Sequence, residues 1–105
     1  MYLYFNIENI ANAVIYIIND KCIVLSIHTN VNYRNKGYAT KLLNEIKNYL
    51  IKNNSNVNKI TLDDCTDNFN TKDNLYLKFG FKYINDGESE MELNINMQSN
   101  KQLND

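Results

Sequence analysis

The hydrophobic period of this chain first changes between Ile27 and Ala39, and that change limits what the chain can fold into. Ahead of it the pattern is that of strands. Residues 2–8 alternate, with Leu3, Phe5 and Ile7 against Tyr2, Tyr4 and Asn6. Residues 13–18 and 22–27 are nearly continuous apolar runs rich in β-branched side chains. The polar joint Asn19-Asp20-Lys21 lies between them, so the three segments read as an antiparallel meander. Beyond the change, Ala39, Leu42, Leu43, Ile46, Tyr49 and Leu50 recur at intervals of three and four, an amphipathic helix of about four turns.

That helix stops in the polar cluster Asn53-Asn54-Ser55-Asn56, and Lys59–Asp63 follows as a short strand. A strand, a helix and a second strand form a crossover, so residues 22–27 and 59–63 should run parallel. Residues 70–79 read as a shorter helix carrying Leu75, Tyr76 and Phe79, closed by Gly80 as a left-handed cap. Residues 81–84 and 91–97 read as a final hairpin around Asn85-Asp86-Gly87-Glu88. The order is β-β-β-α-β-α-β-β, an α/β domain over residues 1–97 with a mixed sheet and helices on its faces. Residues 98–105 are expected to be a frayed polar tail.

Composition bounds the function. A chain of 105 residues forms one domain, and 44% apolar with 22% charged residues describes an ordinary soluble protein. The net charge of −1 offers no general attraction to nucleic acid or to an anionic membrane. No apolar run approaches a membrane span and the N-terminus lacks a basic signal region, so a cytoplasmic protein is expected. Cys22, Cys65 and the single histidine, His28, have no metal-ligand spacing; free buried thiols and no metal are expected. Asparagine fills one position in five, scattered through periodic segments, which makes the scarce residues informative: one arginine and three glycines.

The arginine and one glycine fall together in Tyr33-Arg34-Asn35-Lys36-Gly37-Tyr38-Ala39-Thr40, between the third strand and the long helix. The first turn of a helix has unpaired N–H groups and a partial positive charge. Glycine, lacking a Cβ, lets a ligand approach the backbone. Such a turn is suited to hold phosphate.

Arg34-Asn35-Lys36-Gly37-Tyr38-Ala39 reads R-x-x-G-x-A at a strand-to-helix turn, and Tyr76-Leu77-Lys78-Phe79-Gly80-Phe81 reads Y-x-K-x-G-F at the end of the second helix. Together, in this order and element context, they resemble the Gcn5-related N-acetyltransferase (GNAT) superfamily over residues 1–97. The resemblance implies acetyl-CoA as co-substrate, with its pyrophosphate on the backbone of Lys36, Gly37, Tyr38, Ala39 and Thr40 beside Arg34 and Asn35. It also implies a pantetheine arm running along Thr29, Asn30 and Val31 like an added strand. Family members splay two parallel strands there with a β-bulge, a position that His28-Thr29-Asn30 occupies here. Lys36 and Lys41 could meet the remaining CoA phosphate.

The reaction implied is direct attack of a primary amine on the thioester in a ternary complex, without a covalent enzyme intermediate. Tyr76 stands at the position of the tyrosine that protonates the departing CoA sulfur in many members. The general base is less defined. Ile23 and Leu25 stand where many members carry Glu or His; His28 is the lone histidine, and Asp63 or Asp64 could act through water. By simple alternation His28 shares a face with Val24 and Ser26. An asparagine often found seven residues before the tyrosine is Phe69 here, with Asn70 as the substitute. Members usually begin with a strand and two helices that build the acceptor pocket, and no segment here supplies them. The resemblance is therefore to a minimal member, with an open acceptor site or one completed by a second copy in a homodimer. The acceptor is an unidentified small-molecule or protein amine. The alternative is a catalytically inactive acyl-CoA-binding or protein-interaction module.

Overall fold

The structure, a computed structural model, describes residues 1–54, 56–66 and 74–95. Strands β1 (Tyr2–Ile7), β2 (Ala11–Ile18) and β3 (Lys21–Thr29) form the expected meander. Its two turns place Asn9 and Asn19 in the left-handed region, at φ 57° and 55°. Asparagine tolerates that conformation better than other residues with a Cβ. A short 3₁₀ turn over Val31–Tyr33 leads to helix α1 (Tyr38–Asn53), then β4 (Lys59–Asp63), helix α2 (Leu75–Phe79), β5 (Lys82–Tyr83) and β6 (Glu90–Asn94). The six strands lie in the order β1-β2-β3-β4-β6-β5, with β3 and β4 parallel as the crossover requires.

Most strand boundaries differ from the sequence reading by one or two residues, and the start of the second helix differs as well. The second helix does not extend unbroken from residue 70: Asn74 has an extended backbone, φ −66° and ψ 124°, and its side chain caps α2 by accepting from the N–H groups of Tyr76 and Leu77. An asparagine side chain competes for those N–H groups better than a preceding helical turn would. The last strand begins one residue early, at Glu90. Asn70, Phe69 and the tail from residue 96 lie outside the described residues.

The core lies on one face of the sheet. Ala11, Ala13, Ile15 and Ile17 of β2 alternate inward, and Leu42, Leu43, Ile46 and Leu50 of α1 are fully buried against them. Each such Leu or Ile is worth roughly 1.5–3 kcal/mol when taken from water. Tyr49 extends the contact to β1, edge-on to Phe5 with ring centroids 5.8 Å apart. Helix α2 packs on the same face as α1: Tyr76 belongs to the same core, and the Lys47 ammonium of α1 sits 5.9 Å from the centre of the Phe79 ring. No helix among the described residues covers the opposite face, where Tyr2 and Tyr4 remain 69% and 63% exposed.

Candidate active site

β3 and β4 pair only at Lys21–Lys59, Cys22–Ile60 and Ile23–Thr61. β3 continues to Thr29 and β4 to Asp63, so beyond Ile23 the two strands part and leave a slot through the sheet. The parting coincides with a β-bulge. Val24 pairs with Ile15 and Ser26 with Val14, and Leu25 between them has no partner on β2. A bulge bends a strand and leaves a residue out of the ladder.

The bulge therefore lies at Leu25, three residues ahead of the expected His28-Thr29-Asn30. It also reverses the alternation behind it. Pairing places Val24 and Ile27 on the helix-covered face with Ile15 and Ala13, whereas Ser26 and His28 share the open face with Ile23. His28 is thus not on the face of Val24 as simple alternation implied. A buried apolar run carries no alternation from which an inserted residue could be read.

A cleft of about 470 Å³ fills the slot, lined by Ile23 to Ile27 on one side and Thr61 to Asp63, Cys65, Thr66, Tyr76 and Glu90 on the other. The structure brings Tyr76 and Asp63 together here. His28 does not line the cleft; it is exposed, opposite Asn12. Tyr76 is only 6% exposed, and its hydroxyl has no hydrogen-bond partner among the described residues. Burial pushes its phenol up to about 12, and the nearby Asp64 and Cys65 add to the shift. A phenol in that state keeps its proton at any physiological pH.

The position of Tyr76 is set by a buried polar network that the sequence reading did not foresee. Asp64, 3% exposed, follows β4 and accepts from the Asn74 amide at 2.7 Å, from the Thr66 hydroxyl at 2.6 Å and N–H at 3.0 Å, and from the Tyr83 hydroxyl. Burial works to raise its pKa, but the hydrogen bonds from Thr66, Tyr83 and Asn74 outweigh it and hold the carboxyl below the usual range. Asn74 then caps α2 through the N–H groups of Tyr76 (2.8 Å) and Leu77 (3.1 Å). The one signal in the sequence was an Asn immediately before an apolar helical run. Asp64 is held in structural hydrogen bonds, which leaves it no free role as a base acting through water.

The α1 end of the slot presents an uncapped helix start. Gly37 is the N-cap at φ 89°, no side chain caps the helix, and its first turn holds no acidic residue. The first N–H groups of α1, including those of Tyr38, Ala39 and Thr40, therefore face no side-chain partner. Asn35, at φ 62°, helps turn the chain into the helix. Arg34 folds back, donating from Nε to the Thr29 carbonyl at 3.0 Å, while Lys36 and Lys41 are exposed. Asn30 is engaged locally: its N–H donates to the Ile10 carbonyl and its side chain accepts from Asn32 N–H. Val31 is exposed in the 3₁₀ turn. On its β4 side β3 has no partner beyond Ile23, and Ile23 to Ile27 line the cleft, whereas Thr29, Asn30 and Val31 do not. A second hollow, of about 320 Å³, lies between Thr40 and Asn44 of α1 and Leu75, Lys78 and Phe79 of α2.

A parallel pair splayed at a bulge, followed by a glycine-capped helix, is the arrangement that the two sequence motifs implied. The family model for the GNAT acetyltransferase domain matches residues 2–83. The chain belongs to this family. No curated protein sequence matches it, but solved GNAT structures share the fold. The ribosomal-protein-S18-alanine N-acetyltransferase from Escherichia coli superposes with a TM-score of 0.69 at 21% identity, covering 91% of this chain and 70% of that one. The PaiA N-acetyltransferase from Thermoplasma acidophilum, determined in complex with coenzyme A, gives 0.71 at 21% identity over 89% of this chain and 60% of its own. The anti-CRISPR protein AcrVA5 gives 0.66 at 14% identity, covering 87% of this chain and 96% of that one. The present chain is accordingly a small GNAT domain.

Proposed function

We propose that this GNAT domain transfers an acetyl group from acetyl-CoA to a primary amine by direct attack in a ternary complex. The observation that carries the reading is the slot between β3 and β4, with an uncapped helix N-terminus following β3 and the Tyr76 side chain, its hydroxyl without a partner among the described residues, lining the cleft. CoA would enter from the helix-covered side. Its pyrophosphate would rest on the N–H groups of Tyr38, Ala39 and Thr40, and its pantetheine would pair with the β3 backbone that β4 leaves unpaired beyond Ile23.

The amine lone pair forms the C–N bond at the thioester carbonyl carbon, and the developing oxyanion is met by backbone N–H groups of residues 25–27. The C–S bond then breaks with its electron pair on sulfur, Tyr76 gives its proton to that sulfur, and the amine proton leaves to water and restores the phenol. Asp63 is placed to help that proton leave; His28 is outside the cleft lining. The two free thiols, one of them exposed, support a reducing, cytoplasmic setting.

The test is direct. Acetyl-CoA should raise the melting temperature, amines should accelerate CoA release, and Tyr76→Phe should slow that release while keeping the thermal shift. A thermal shift with no CoA release across a broad panel of amines would leave an acyl-CoA-binding module instead.

A further inference from the structure

Asp64 donates its N–H to the Ser89 carbonyl at 2.9 Å and accepts from the Thr66 N–H at 3.0 Å. Cys65 is therefore the middle residue of a turn tied to the sheet on one side and to a buried carboxylate on the other. It is exposed, it lines the cleft, and its thiol is within electrostatic reach of Tyr76. The acetyl-transfer steps make no use of it.

Tyr76 independently shows that a polar group from outside the chain is received at this place. The residue is 6% exposed, and its hydroxyl has no hydrogen-bond partner among the described residues. The one fully enclosed side-chain polar atom without a partner among them is Asn54 Oδ1, so the Tyr76 hydroxyl is open to the cleft that its side chain lines. The other thiol of the chain cannot reach Cys65. Cys22 is 0% exposed and pairs with Ile60, and roughly 10 Å of strand separates that register from Asp63. A disulfide needs Cα atoms within about 7 Å. A sulfur that meets Cys65 therefore belongs to a ligand. On the acetyl-transfer reading, on which this inference rests, the sulfur brought to Tyr76 is that of CoA.

We propose that Cys65 is a redox-modification site that captures CoA as a mixed disulfide and closes the cleft to acetyl-CoA. The co-reactant is oxidised CoA, the symmetrical disulfide. The Cys65 sulfur gives its proton to water and attacks the sulfur of the CoA held in the slot. The S–S bond breaks, and its electron pair leaves with the second CoA, which takes up a proton as the free thiol. One disulfide is consumed and one is formed, so no other oxidant enters. The second CoA departs across the helix-free face. Asp63 and Glu90, opposite each other across β4 and β6, set two carboxylates at this edge of the cleft. They repel a disulfide that carries carboxylates close to its sulfurs, such as that of glutathione, whereas the pantetheine arms flanking the CoA disulfide are uncharged.

The experiment incubates the full chain with CoA disulfide and reads intact mass and peptide maps. One CoA, removable by dithiothreitol, should add at Cys65 and none at Cys22, at least tenfold faster than glutathione adds from glutathione disulfide. Saturating acetyl-CoA should slow the addition at least tenfold, and the adduct should lose the acetyl-CoA thermal shift. Cys65→Ser should take up no CoA and keep its thermal shift after the same treatment. In a parent that does bind acetyl-CoA, no adduct, an adduct at Cys22, or equal rates with the two disulfides would overturn the inference alone. A parent showing no thermal shift with acetyl-CoA would overturn the acetyl-transfer reading itself, and this inference with it.

Discussion

The Asp64 carboxylate accepts from the Asn74 side-chain amide at 2.7 Å, and through that bond the end of β4 holds the N-terminus of α2. Because Asn74 also caps Tyr76 and Leu77, a buried carboxylate on one element positions the phenol carried by another. The placement of Tyr76 thus depends on a residue whose own oxygens are fully used in holding the fold.

Replacing Asp64 by Ala should therefore cost stability first. It removes the carboxylate to which the Asn74 amide, the Thr66 hydroxyl and the Tyr83 hydroxyl donate, worth about 2–3 kcal/mol by the usual cost of a broken charged hydrogen bond. Urea unfolding at pH 7 measures it. The parent should also lose this contribution in acid. The folded-state pKa of Asp64 is depressed, so its stabilisation is complete above the unfolded carboxylate range and disappears as pH falls through the lower folded value. The Asp64→Ala variant should show a flatter stability profile over that acid limb.

Asn74→Ala should cost about 1–2 kcal/mol, the usual price of losing a helix N-cap, and should also slow turnover by loosening Tyr76. Asn74→Asp keeps a capping oxygen but sets a second carboxylate against Asp64, and should be no better than Ala. Thermal unfolding alongside CoA release separates the two effects.

Tyr76→Phe should leave stability within about 0.5 kcal/mol, since the hydroxyl makes no hydrogen bond among the described residues. Its kcat should fall on the order of 100-fold, the contribution of a positioned general acid. The phenol, pushed up to about 12, loses its proton only as pH rises through that value. No alkaline fall in kcat from this group should thus appear below about pH 11. The same shift favours the folded protein below the unfolded tyrosine pKa, and that contribution is lost as pH rises through the folded one.

Gly37 has φ 89° with open space where a Cβ would stand. Gly37→Ala should therefore cost about 1 kcal/mol through backbone strain alone. Gly37→Glu brings a carboxylate to the helix N-terminus and should in addition abolish the acetyl-CoA thermal shift, because it competes with the phosphates for the same N–H groups.

Cys22 is fully buried and its thiol is pushed up to about 12 by that burial, whereas Cys65, against the expectation of two buried thiols, is exposed in the cleft just beyond the end of β4. A maleimide should label one thiol in the native protein and two after denaturation. Saturating acetyl-CoA should slow the native labelling, since Cys65 lines the cleft it would fill.

Much of this was legible in the chain. The meander, the crossover and the long helix followed from the change of period at the Arg34–Gly37 turn, because strand and helix periodicities differ so strongly that neither can imitate the other. The glycine-capped turn into α1 was legible too, since a lone arginine and a glycine between a strand and a helix have few structural explanations. The bulge at Leu25 was not: residues 22–27 are apolar throughout, and in such a run one extra residue leaves no mark. Nor was Glu90, which reads as an ordinary solvated charge until β6 is placed beside β4.

By itself, then, the sequence determined the elements, their order and the glycine-capped turn into the long helix, all of which depend on residues close together in the chain. Tertiary structure alone decided which side chains meet in the cleft. It put Asp64 against Asn74, Asp63 opposite Glu90, and His28 away from Tyr76, because a bulge and a strand pairing move side chains between faces without changing local pattern.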